Sequence, residues 1–87
     1  MADLTDDAAN GRFEMTEQGA VVFAEYRRDG AKLIIDHVET PEALRGAGAA
    51  GRLMAAIADK AKGEHLTIVP ICGYAAAWLE RHPGAAG

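Results

Sequence analysis

The chain has 87 residues, enough for one domain, and at that size folding buries about 60–65% of the unfolded chain's surface, so the core is modest. Hydrophobic residues make up 49% and charged residues 25%, an ordinary globular composition in which alanine supplies much of the apolar fraction. The formal charge of −4 argues against nucleic acid as a partner, since non-specific binding needs a basic footprint, but it leaves room for a small anion at a local positive site.

Residues 1–11 are acidic and polar, with Asp3, Asp6 and Asp7 among small residues and no periodicity, so a flexible N-terminus is expected there. The segment lacks the basic and apolar regions of a signal peptide. Three strand signals follow. "RFEMTEQG" sets Phe13 and Met15 against Arg12 and Glu14, while "AVVFAEYRRDG" and "AKLIIDHVET" are rich in β-branched and aromatic residues. Gly19 and the pair Asp29-Gly30 punctuate them as hairpin turns, which predicts an antiparallel meander. In the third strand alternation puts Leu33, Ile35 and His37 on one face and Ile34, Asp36 and Val38 on the other. Apolar residues on both faces predict a strand covered on both sides. Its end, "DHVET", offers Asp36, His37 and Glu39 as acid–base groups. His37 and Glu39 point to the same side, where one could accept a proton beside a substrate; a merely polar strand end is the alternative.

Next comes "LRGAGAAGRL", which contains a literal G-x-G-x-x-G. A dinucleotide fingerprint must directly follow the first strand of a βαβ unit and wants an acidic residue about 20 positions on. Here "TPEALR" intervenes, and the next strand signal ends in proline with no carboxylate. A Walker A loop is excluded because no G-K-[ST] follows. The glycines still precede a helix, where backbone N–H groups and the helix dipole favour a phosphate or pyrophosphate. Arg45 stands just before them and Arg52 one to two turns on. Equally, the glycines could serve only a tight turn and close helix packing.

"AAGRLMAAIADKAKG" is predicted as that helix, with Ala50, Leu53, Ile57 and Ala61 at helical spacing. Lys60 and Lys62 favour its last turn, and Gly63 is the expected stop. "HLTIVP" is a fourth strand, and "GYAAAWLERH" a second helix ended by Pro83-Gly84, with Tyr74 and Trp78 on one face. The αβ crossover predicts that strands three and four pair in parallel. Residues 84–87 are expected to be a flexible tail.

Cys72 is the only cysteine, so neither an internal disulfide nor a cysteine metal site can form. His37, His65 and His82 give no metal spacing, and no metal is assigned. At a helix N-terminus the Cys72 thiolate is favoured, which would suit a nucleophile; a small buried hydrophobe is the plainer reading. Tyr74 could donate a proton to a leaving group or simply pack.

The run of strand, "TPEALRGAGAAGRLM", helix and strand resembles the central part of the GCN5-related N-acetyltransferase (GNAT) superfamily. That superfamily's loop reads [QR]-x-x-G-x-[GA], positions filled here by Arg45, Gly48 and Ala50. Together with "IVPICGYAAAWLERHP", the pattern looks like the small stand-alone members related to the YjdJ group, whose motifs run H-T-x-V-P-x-x-L-R-G-x-G, P-x-C-x-[YF] and R-H-P. This chain departs at Val38 and Thr40, where the usual residues are exchanged. The match covers residues 12–83 and implies a minimal GNAT-like α/β (α+β) fold of order β-β-β-α-β-α. It implies that Arg45, Gly46, Ala47, Gly48, Ala49, Ala50 and Gly51 hold the pyrophosphate of acetyl-CoA, and that Cys72 lies near the acetyl thioester. The activity implied is acetyl transfer to an amine of a small molecule or protein. Transfer could be direct, with Glu39 or water as proton acceptor and Tyr74 or Cys72 as donor, or could pass through an acetylated Cys72. A non-catalytic acyl-CoA sensor or protein-interaction module is the rival class, and a redox thiol protein, lacking a C-x-x-C partner, ranks last. No apolar run approaches the ~20 residues of a membrane span, so a cytoplasmic protein is expected, as a monomer or weak dimer.

Overall fold

The computed structural model describes residues 4–86. Its elements are β1 (Thr5–Asp7), β2 (Arg12–Glu17), β3 (Ala20–Asp29), β4 (Lys32–Glu39), α1 (Ala49–Gly63), β5 (Thr67–Pro70) and α2 (Gly73–Arg81), with short 3-10 turns at Ala8–Asn10, Glu42–Leu44 and Pro83–Ala86. They form a mixed α+β fold. One five-stranded sheet runs in the order β1-β2-β3-β4-β5, antiparallel except for the parallel pair β4–β5.

The meander follows from its turns. Gln18 and Gly19 both take positive φ in the two-residue loop joining β2 and β3, the geometry that matches the twist of the flanking strands. Between β3 and β4 the loop is Gly30-Ala31, with Gly30 at φ +60°, and Asp29 is the last residue of its strand.

Two expectations about the chain ends give way. Thr5–Asp7 is not frayed but pairs antiparallel with β2, which adds a fifth strand and shifts the numbering of the rest. Three residues are too few to show an alternation. What holds them is long-range: the Tyr26 hydroxyl donates to Asp6, and the Tyr26 amide donates to the Gly11 carbonyl at 2.8 Å. At the other end, the Pro83–Ala86 turn sets Ala85 against the core. Residues 1–3 and 87, also expected to be flexible, lie outside the described residues.

A single core joins one face of the sheet (Phe13, Val22, Tyr26, Leu33, Ile35) to both helices (Leu53, Met54, Ile57, Ala75, Trp78). Burial at about 25 cal/mol per Å2 is its driving force. The other sheet face is not part of that core. It carries half-buried Phe23, Ile34 and Val69 among charged side chains, with Arg12 stacked 3.7 Å above the Phe23 ring. The third predicted strand, now β4, is therefore covered on one side, as antiparallel sheets commonly are.

β4 also contains a bulge. Tyr26 pairs with Ile35 but Glu25 pairs with His37, so Asp36 is an extra residue. The insertion shifts the alternation by one. Val38, opposite Ala24, joins the core face, and His37 and Glu39 turn to the exposed face. The expected sharing of one face by Leu33, Ile35 and His37 ends there.

α1 ends at Gly63, as expected, and Gly63 is still helical. His65, at φ +57°, makes the reversal, with Leu66 N–H bonded to Ala61 C=O at 2.8 Å and His65 N–H to Lys62 C=O at 3.2 Å. This is the Schellman pattern with histidine where glycine is usual.

Candidate active site

Two features converge at one end of the sheet. The first is a fork between β4 and β5. Their pairing ends at Ile35–Pro70 while β4 runs on to Glu39. At the apex the Ile35 carbonyl accepts two hydrogen bonds, from Ile71 N–H at 3.0 Å and Cys72 N–H at 3.1 Å. The bulge begins one residue later, and a bulge bends its strand. Past the fork, Asp36–Glu39 have no partner on β5.

The second feature is the loop before α1. Gly46 and Gly48 take φ +80° and +79°, a region that costs other L-residues about 1–2 kcal/mol. The Arg45 N–H bonds to Glu42 C=O, that of Ala47 to Leu44 C=O, and that of Arg52 to Gly48 C=O. The N–H groups of Gly46, Gly48, Ala49, Ala50 and Gly51 have no acceptor among the described residues, and no side chain caps the helix. Unpaired amides at a helix start form an anion-binding concavity. A cavity of about 240 Å3 lies on them, lined by Arg45, Gly46, Gly48, Ala49, Ala50 and Gly51, with Thr40, Leu44 and Tyr74 completing it. Arg45 is exposed and has no ion-pair partner among the described residues.

Six of the seven loop residues singled out in the sequence thus share one cavity. Ala47 does not line it; its carbonyl accepts from Arg52 at 2.8 Å. Arg52 also holds Glu17 through two bonds of 2.7 and 2.6 Å. That contact lowers the Glu17 carboxyl and raises the Arg52 guanidinium from their ordinary pKa values. Gly51 sits inside the first turn of α1, where an added Cβ would lie 3.7 Å from the Tyr74 hydroxyl and 3.8 Å from the Trp78 indole nitrogen. A second cavity of about 440 Å3 continues past Gly48 and Gly51 between α1 and α2, reaching Trp78 and His82, whose rings stack at 4.0 Å.

Of the five acid–base and nucleophile candidates, Asp36 is held by Arg27 on the exposed sheet face, and Cys72 stands at the N-cap position of α2, half-buried against the core, at the fork apex. Tyr74 faces the loop cavity. His37 and Glu39 stand on the exposed sheet face, with Nε2 of His37 3.0 Å from Oε2 of Glu39, and neither lines that cavity. The sequence reading missed Thr40 as a lining residue and Glu17 altogether; the bond from Glu17 to Arg52 spans 35 residues and leaves no local pattern. Among the described residues no group of His, Cys, Asp and Glu could hold a metal ion, and no helix is long and apolar enough to cross a membrane.

The sequence profile of the GCN5-related N-acetyl-transferases matches residues 12–86. Among solved structures, the chain is similar to the solution structure of a Staphylococcus aureus protein described, provisionally, as a GCN5-like N-acetyltransferase. The TM-score is 0.68 at 23% identity, covering 95% of this chain and 82% of that one; at that identity the likeness is one of fold. No curated protein matches the chain in sequence at a significant level.

Proposed function

The chain belongs to the GCN5-related N-acetyltransferase family, and we propose that it moves an acetyl group from acetyl-CoA to an amine. The observation that carries this reading is the set of unpartnered loop amides, Gly46, Gly48, Ala49, Ala50 and Gly51, beside the unpaired cation Arg45. Five donors and a positive charge suit a pyrophosphate, which offers acceptor oxygens and negative charge together. Acetyl-CoA supplies an activated thioester, and the fork beyond Ile35 leaves open backbone beside which its arm would lie.

In the reaction proposed, the amine nitrogen attacks the thioester carbonyl carbon, the C–N bond forms and the C–S bond breaks. Backbone amides of β4 past the fork polarise the carbonyl. Glu39, with His37 hydrogen-bonded to it, takes the proton from the amine. The departing thiolate is protonated by Tyr74, which faces the loop, or by the Cys72 thiol. In the covalent variant Cys72 sulfur first displaces the coenzyme thiolate and the amine then displaces Cys72. A Cys72→Ala variant with full turnover removes that variant. The protein is taken to act as a monomer or weak dimer.

The deciding test is thermal unfolding with acetyl-CoA or desulfo-CoA, with NAD as control. A ligand at 100 times its dissociation constant adds about 2.7 kcal/mol, which for a domain this small raises the melting point by on the order of ten degrees. A shift with both CoA compounds and none with NAD is expected. No shift at saturating acetyl-CoA overturns the assignment.

A further inference from the structure

We propose that Glu17 and Arg52 are a positioning pair for the loop, and that Arg52 is not a ligand of the anion. Arg52 stands one turn into α1, beside the unpartnered amides, where a free guanidinium would bind phosphate directly. It is not free. Glu17 takes Nε and Nη2 in a two-pronged bond of 2.7 and 2.6 Å, the strong geometry for an arginine and a carboxylate. Nη2 also donates to Ala47 C=O at 2.8 Å. Nη1 is packed so close to Gly48 that an added Cβ there would meet it at 3.1 Å. The charge is matched and three of its contacts are made within the protein.

The consequence lies in the peptide plane between Ala47 and Gly48. A trans peptide points its C=O and N–H in opposite directions. Holding the Ala47 oxygen on Arg52 therefore aims the Gly48 N–H the other way, without any contact to that N–H. A loop with glycine at 46, 48 and 51 would otherwise lose much conformational freedom on binding, and fixing it beforehand raises affinity. Glu17 closes β2, so the pair ties the loop to the sheet; its side chain is only 15% exposed.

What the loop holds rests on the coenzyme reading above, whereas the pair itself is tested in the free protein. The experiment compares wild type, Glu17→Gln and Arg52→Lys by CoA titration calorimetry, by the NMR order parameter of the Gly48 N–H vector without ligand, and by melting temperature. A positioning pair predicts about tenfold weaker CoA binding in both variants, a lower Gly48 order parameter, and only a small fall in melting temperature. A direct ligand predicts the opposite sign for Glu17→Gln, because Arg52 is released to the phosphate and binding tightens, with Arg52→Lys close to wild type. Tighter or unchanged binding in Glu17→Gln, or an unchanged Gly48 order parameter, overturns the proposal. If wild type binds no CoA while Glu17→Gln still loosens the Gly48 N–H, the pair stands and the coenzyme reading falls.

Discussion

Gly46 and Gly48 share a backbone conformation, φ +80° and +79°, but not their surroundings. A Cβ on Gly46 meets open space, and one on Gly48 meets Arg52 Nη1 at 3.1 Å. Gly46→Ala is therefore expected to lose only the left-handed backbone cost, about 1–2 kcal/mol, while Gly48→Ala loses that and displaces Arg52 as well. Urea unfolding of the two variants measures the difference; equal losses would mean Arg52 is not held in place. At this scale the sequence was informative where chemistry is local. The glycines, Arg45 and the cysteine before a helix are visible as letters. The role of Arg52 was not, because its partner Glu17 belongs to a strand 35 residues earlier.

The bulge in β4 decides what the strand end presents. Deleting Asp36 would leave Ile35 opposite Tyr26 and His37 opposite Glu25, now in regular pairing, so every side chain keeps its face while the bend is removed. The deletion also breaks the exposed Arg27–Asp36 pair, which matters little to stability. The expected variant folds, by circular dichroism, but shows no melting shift with acetyl-CoA; a full shift would mean the fork does not depend on the bulge. Period-two reading located this strand and its partners yet misassigned His37, since an inserted residue leaves the composition of a strand unchanged. The stop of α1 was read at the right residue, but its cause was not. Gly63 looked like a terminator, whereas the reversal is set by the fit of Leu66 behind the last turn, with His65 accepting the strained conformation.

Over the whole molecule, Tyr26 links the core to the N-terminal strand. Its ring stacks on Phe13 at 4.2 Å, and its hydroxyl, 20 residues away in sequence, donates to Asp6. Burial, then the hydrogen bond and charge of Asp6, push that hydroxyl from 10.0 up to about 12. The folded value lies above the unfolded one, so the stability it contributes is complete below about pH 10 and is lost as pH rises towards 12. Unfolding followed from pH 8 to 12 should show this decline in the wild type and a flatter profile in Tyr26→Phe; identical profiles would refute the linkage. The meander, crossover and helix boundaries were legible in the chain, because turns and periodicity are local signals. The first strand was not, because three residues show no alternation and the bond from Tyr26 to Asp6 spans 20 positions.

In the sheet the spatial order of strands repeats their order along the chain. Each antiparallel ladder is closed by a short connection, and only the parallel step needs the α1 crossover. Loop closure costs little for the former and more for the latter, so a kinetic sequence is expected: hairpins first, the parallel pair and its fork last. Conservative substitutions in the β3–β4 hairpin should slow folding, and those in β5 and α2 should mainly speed unfolding. The reverse pattern in a chevron series would rule out this order. On this account the fork is the last part to assemble, and the antiparallel strands are paired before the gap between β4 and β5 exists.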